Sequence, residues 1–181
     1  MLVSQNHRLE QVQWLNSPNH DLRPDENDVS LVVIHGISLP AGQFGGDDCH
    51  GLFMNALDCS THASYHDLAG LEVAPHLLID RQGEMNQYVA FNRRAWHAGE
   101  SCWRGRSRCN DFAIGIELEG ADEIPYSEQQ YVSLSGVLKA LISKYPLLSP
   151  STIVGHFEIA PGRKTDPGPS FDWPRLFRTL V

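Results

Sequence analysis

The sequence predicts a mixed α/β domain, of α+β type, in which a central mixed β-sheet is flanked by helices. Three observations carry this. Short apolar runs of strand length recur at "SLVVIHG" (30–36), "FAIGIELEG" (112–120) and "STIVGH" (151–156), and bounded runs of that length are a strand signal. One strong helical pattern lies between them, from Ser127 to Tyr145. The length of 181 residues suits a single compact domain with a core that needs no cross-links.

Taken in order, residues 1–29 form a polar lead-in, and "SPNHDLRPDEND" (17–28) reads as an ordered or semi-ordered part of it. The remainder, 30–180, is the expected core of a single domain spanning 1–181. "SLVVIHG" is a buried strand with His35 at its C-terminal end. "GISLPAGQFGGDD" (36–48) is rich in Gly and Pro and is a loop; its length suits either a moving lid or a passive connector. "HGLFMNALD" (50–58) suggests a short helix, and residues 73–90 two strands around a turn at "DRQG". "RRAWHAG" (93–99) is too short to assign. In 112–120, Ile114, Ile116 and Leu118 alternate with Gly115, Glu117 and Glu119, which gives a strand with one polar face. Ser127 and Gln130 form a capping box, and Tyr126 and Tyr131 a hydrophobic staple. Behind them Tyr131, Leu134, Leu138, Leu141, Ile142 and Tyr145 line one helical face. A last strand ends in His156, and a last helix starts near Asp172.

The net charge of −8 argues against a general nucleic-acid or membrane-surface binder. An anionic ligand therefore needs a local basic patch, for which "RGRSR" (104–108) with Arg93 and Arg94 is the candidate. The four cysteines (Cys49, Cys59, Cys102 and Cys109) form no C-x-x-C pair, which disfavours a thiolate zinc site. The first residues carry no secretory pattern, and no apolar run reaches membrane-span length. A cytoplasmic protein with reduced thiols is the expectation.

Two strands end in histidine, His35 and His156, and strand ends in such sheets are where ligand sites collect. Catalytic zinc takes three protein ligands and leaves one position open. Asp166, held in the stiff "KTDPGP", is the natural third. Spacing alone leaves the alternative open that these are ordinary core or surface residues, since the chain has nine histidines. "GRKT" fails the phosphate-loop pattern, and H-E-x-x-H and G-x-S-x-G are absent. Glu117 and Glu119 mark either a solvated face or a general base beside a metal. The deeper position of Glu117 in its strand favours that residue, because burial raises a carboxyl pKa toward neutrality.

Together "VVIHGISLPAGQFGG", "RRAWHAG", "CNDFAIGIELEG" and "GHFEIAPGRKTDPGPSFDW" resemble the cytosolic N-acetylmuramyl-L-alanine amidases of AmpD type, from about residue 15 to 178. These are zinc amidases of cell-wall recycling, related to phage lysozyme-like amidases and peptidoglycan recognition proteins. The resemblance implies an amidase-like fold and one Zn2+ per chain, bound by His35, His156 and Asp166. It implies Glu117 as the catalytic carboxylate and Lys164 as support for the oxyanion. Arg108 matches a contact to the carboxylate of the peptide stem, and Trp96 and His97 match a wall of the substrate groove. The implied substrate is an anionic 1,6-anhydro-muramyl peptide, cut between muramic acid and L-Ala. No nucleic-acid or membrane partner is expected, and the expected state is a monomer. Two positions depart from the family pattern: Gly36 stands where Asn is usual, and Gly162 where Glu is usual. Rival readings are a peptidoglycan-binding module without catalysis, a structural zinc domain and an amidase acting on polymeric wall.

Overall fold

The computed structural model describes residues 1–180. The chain opens with two short strands, β1 (Gln13–Trp14) and β2 (His20–Leu22), followed by β3 (Leu31–Ile37) and α1 (Asp48–Phe53). A hairpin of β4 (Leu77–Ile79) and β5 (Met85–Gln87) leads to β6 (Arg93–Ala95) and a small ribbon, β7 (Cys102–Trp103) with β8 (Arg106–Ser107). The rest is β9 (Ala113–Glu119), α2 (Glu128–Lys144), β10 (Ile153–Gly155), α3 (His156–Ile159) and α4 (Trp173–Thr179). Six strands join in one sheet in the order β1-β5-β4-β9-β3-β10, parallel throughout except for the β4–β5 hairpin. The mixed sheet flanked by helices agrees with the sequence expectation. No helix among the described residues is long and apolar enough to cross a membrane.

The central strands are buried on both faces, as parallel sheets require. Their alternation sorts side chains between two sides. Val32 and Ile34 of β3 and Ile114, Ile116 and Leu118 of β9 pack with Leu134, Val137, Leu138 and Leu141 of α2. Leu31, Val33 and Ala113 face the other way, toward Ala98, Cys109, Phe112 and Ile159. By the same period of two, His35, Gly115, Glu117 and Glu119 lie on the side away from α2. The long helix thus supplies one hydrophobic layer, and the opposite layer is left for chemistry.

The capping box on α2 is present: Ser127 accepts from the Gln130 N–H, and the Gln130 side chain accepts from the Ser127 N–H. The staple residues Tyr126 and Tyr131 meet through Phe171, whose ring contacts both. The β4–β5 turn closes on Asp80, whose carboxylate accepts from the Gln82 and Glu84 N–H groups. The terminal helix starts as expected, with the Asp172 side chain accepting from the Arg175 N–H.

Three expectations need correction. The lead-in is part of the fold: β1 extends the main sheet beside β5, and β2 pairs with β6. Its buried polar residues explain why apolar periodicity missed it. Ser17, Asn19 and Arg23 are all nearly inaccessible and hydrogen-bonded to the core backbone. The helix expected at 50–58 starts earlier and stops at Phe53, because Asn55 takes a left-handed backbone (φ 57°) that Asn tolerates and a helix cannot continue. The polar face of β9 is not solvated: Glu119 is buried, and its carboxylate accepts from the Gly45 and Arg81 N–H groups. The four cysteines are free thiols.

Candidate metal centre and active site

Strand register brings three chemical groups into one row. His35 of β3 pairs with Glu117 of β9, and Ile34 pairs with Gly155 of β10, so His156 follows on the next position. Neighbouring positions in a parallel sheet present side chains to the same face. Glu117 and His35 are therefore set side by side, and His156, which the sequence placed at a strand end, is instead the first residue of α3, directly after β10. Asp166 reaches them from the loop after α3. That loop is held by three bonds: the Phe157 N–H donates to the Asp166 carbonyl (3.1 Å), the Tyr126 hydroxyl to the Pro167 carbonyl (2.9 Å) and the Arg163 guanidinium to the Ala98 carbonyl (2.7 Å).

The result is a triangle of donor atoms. His35 Nδ1 and His156 Nδ1 lie 2.9 Å apart, and Asp166 Oδ2 is 3.2 Å and 3.0 Å from them. The side chains of His35 and His156 keep only 1% and 3% exposure, against 15% for Asp166, so the two rings are shielded from bulk water. A tetrahedral ion with bonds of about 2.0–2.1 Å holds its ligands roughly 3.3 Å apart, close to what these three groups present. His156 Nε2 donates to the Ala98 carbonyl (3.2 Å), which leaves the Nδ1 lone pair facing inward. Glu117 Oε1 is 4.0 Å from His35 Nδ1, beyond the triangle, and its Oε2 is buried with no partner among the described residues. Two imidazoles, one carboxylate and a separate unpaired carboxylate oxygen fit a three-ligand metal site with a base beside it.

The electrostatics separate the two acids. Burial, with the nearby Asp166 charge adding to it and Lys164 opposing, pushes Glu117 well above the ordinary carboxylate range. Burial alone raises Asp166 too, but hydrogen bonds with His156 and His35 overcome it and hold that carboxyl below its usual range. Burial lowers His35 to about 4, with the Asp166 hydrogen bond opposing, so its imidazole is neutral at pH 7 as a ligand must be.

These groups sit in a cleft of about 250 Å³, which also holds Lys164, Trp96 and His97 and is otherwise lined mainly by apolar side chains such as Ile37, Leu39, Phe53 and Leu71. Arg108 is not among them. It lies on the surface with 72% of its side chain exposed, 3.3 Å from Asp111. The basic patch is largely neutralised: Arg94 pairs with Asp21 and Asp111, and Arg106 with Asp28. Gly36 has a steric cause. A Cβ there would come within 2.3 Å of the Tyr126 hydroxyl, which is the group that braces Pro167. Gly162 adopts φ +76°, a left-handed backbone that favours glycine. Sequence reasoning missed Tyr126 and Arg163 as braces of the Asp166 loop, since a bond to a distant carbonyl leaves no trace in spacing.

Residues 25–169 match the family model described as N-acetylmuramoyl-L-alanine amidase. The chain belongs to the N-acetylmuramoyl-L-alanine amidase family. It is an amide hydrolase of the muramoyl–L-alanine bond. Among curated relatives of this family member, the 1,6-anhydro-N-acetylmuramyl-L-alanine amidase AmpD of Citrobacter freundii is 51% identical over 173 residues, 96% of this chain and 91% of that one. A crystal structure of a selenomethionine AmpD derivative superposes with a TM-score of 0.96 at 48% identity, covering 100% of both chains. The amidase AmiD of Escherichia coli has been solved with its substrate anhydro-N-acetylmuramic acid-L-Ala-D-γ-Glu-L-Lys. It matches with a TM-score of 0.63 at 26% identity, over 96% of this chain and 61% of that one.

Proposed function

We propose that this family member is a zinc-dependent amidase of cell-wall recycling that acts on 1,6-anhydro-N-acetylmuramyl peptides, as a cytoplasmic monomer. The observation that carries the reading is the triangle of His35, His156 and Asp166 with the buried, unpaired Glu117 oxygen beside it. The 51% identity to an amidase named for the 1,6-anhydro sugar supports the substrate.

His35, His156 and Asp166 would hold the ion. Bound there, zinc supplies Lewis acidity, which acidifies water and polarises a carbonyl. Glu117 accepts the proton of the attacking water on its carboxylate and passes it to the departing L-Ala nitrogen. Lys164 presents its ammonium to the oxygen that becomes negative in the transition state. Trp96 and His97 form a wall for the substrate. Arg108, exposed at the surface, reaches the carboxylate of the peptide stem from outside the cleft. The apolar lining excludes water from the reacting groups and strengthens each of these contacts.

Purified protein, with zinc counted by elemental analysis, should hold one ion per chain and release L-Ala-headed peptide from anhydro-muropeptide. Asp166→Ala should lose both ion and activity. Wild-type zinc in that variant would remove Asp166 from the site.

A further inference from the structure

A histidine that offers one ring nitrogen to a metal carries its proton on the other, and that N–H needs an acceptor to fix the ring. His156 has a backbone carbonyl for this purpose, Ala98 at 3.2 Å. Among the described residues, His35 Nε2 has neither a carbonyl nor a carboxylate as partner. Its Nε2 lies 2.9 Å from Nδ1 of His97, with the two rings edge to face.

We propose that His97 is a positioning residue for His35: its Nδ1 accepts the proton of His35 Nε2, which fixes the His35 tautomer and turns Nδ1 toward His156 and Asp166. This rests on the metal site proposed above and adds to it a role for a side chain otherwise matched only to the groove wall.

His97 is built into place. Its own N–H and that of Ala98 both donate to the Asn110 side chain, at 3.1 Å and 2.8 Å. Its ring lies against Gly115 of β9, where any Cβ would approach within 2.4 Å, so only glycine leaves room for it. The ring of His76 packs against it at 5.7 Å. His76 is fixed in turn: Nδ1 accepts from the Gly115 N–H (3.0 Å), and Nε2 donates to the Arg93 carbonyl (3.0 Å). Behind His76 stands Arg23, buried and bonded to the carbonyls of Phe91, Asn110 and Ala113. The N-terminal segment therefore buttresses the metal site through Arg23, His76 and His97.

Among the described residues, His97 Nε2 is buried and has no partner. With Nδ1 accepting from His35, the His97 proton lies on Nε2, so the arrangement keeps Nδ1 free as an acceptor at the cost of an unpaired N–H. Nothing in a substrate-wall role asks for this arrangement.

The test is zinc affinity measured by chelator competition, without substrate, on full-length protein. His97→Leu removes the acceptor and should weaken zinc binding about 10- to 100-fold. His97→Asn places a side-chain oxygen near the Nδ1 position and should bind within a few-fold of wild type. In zinc-loaded wild-type protein, nitrogen-15 spectra should show His35 and His97 both protonated on Nε2, with a coupling between His35 Nε2 and His97 Nδ1. Wild-type affinity in His97→Leu, or His97 protonated on Nδ1 in the loaded protein, overturns the proposal. If His97→Leu does not fold, the spectra and His97→Asn decide, and equal loss in His97→Asn counts against it. Asp166→Ala serves as the separate control. Zinc retained in that variant refutes the metal site itself, whereas zinc lost there but retained in His97→Leu refutes only the role of His97.

Discussion

Glu117 and Glu119 stand two positions apart on one face of β9, yet their surroundings give them different work. Glu119 closes on two backbone N–H groups, those of Gly45 and Arg81, and so ties the 36–48 loop to the β4–β5 turn. Glu117 leaves one oxygen unpaired at the cleft. Glu117→Gln should keep zinc and lower kcat by about 10²–10⁴, as loss of a general base does. The same change should raise the thermal stability of zinc-free protein near pH 7. A folded-state pKa above the unfolded one favours folding fully only below the unfolded value, and that contribution is lost as pH rises through the folded pKa. The advantage of Gln should therefore vanish below about pH 4, near the unfolded carboxyl pKa. Glu119→Gln should cost about 1–3 kcal/mol in denaturant unfolding, because one backbone N–H then faces an amide donor, with kcat little changed. Activity lost in Glu119→Gln but kept in Glu117→Gln would exchange the two roles. Arg108→Ala should raise KM for tripeptide-bearing substrate and leave kcat in place. An unchanged KM, which its exposed pairing with Asp111 allows, would remove Arg108 from recognition. Composition could not reveal the pairing of Arg94 with Asp21 or of Arg106 with Asp28, because those partners lie more than 70 residues apart in the chain.

At the scale of elements, the site depends on strand register and on one close approach. The β3–β9 pairing sets His35 opposite Glu117, and the loop carrying Asp166 is braced from the start of α2 by Tyr126. Gly36→Ala should destabilise the protein by about 1–3 kcal/mol through overpacking against the Tyr126 hydroxyl. Tyr126→Phe removes that hydroxyl and its bond to Pro167. The two changes should then be non-additive, with an interaction energy on the order of 1 kcal/mol, measurable in a double-mutant cycle. Strict additivity would mean that the loop relaxes around the new methyl group. The main strands and α2 were legible because β-branched runs, period-two alternation and a capping box are local signals. The two- and three-residue strands of the lead-in were not, since Arg23, Ser17 and Asn19 are held by backbone carbonyls from remote segments. The candidate ligands His35, His156 and Asp166 are suggested by strand ends and a stiff proline loop. Only the four separated motifs made that suggestion specific.

The whole molecule has one large sheet with α2 covering one face and the cleft opening on the other. Its main hydrophobic cluster joins β3, β4, β9 and α2 and does not include His35, His156 or Asp166. Zinc removal should therefore abolish activity while leaving a cooperatively folded protein, unlike a zinc finger; loss of cooperative unfolding after chelation would show that the ion holds the fold. The central claim is that His35, His156, Asp166 and Glu117 together cut the muramoyl–L-Ala amide of a soluble anhydro-muropeptide. Its most direct test is product analysis by mass spectrometry, after incubating zinc-loaded wild type and Glu117→Gln with anhydro-N-acetylmuramyl tripeptide and with polymeric wall. Wild type should give free tripeptide and anhydro-N-acetylmuramic acid and prefer the soluble substrate, and Glu117→Gln should release them far more slowly at equal zinc content. An intact anhydro-muropeptide after exposure to zinc-loaded wild type, or equal rates from the two proteins, would contradict it.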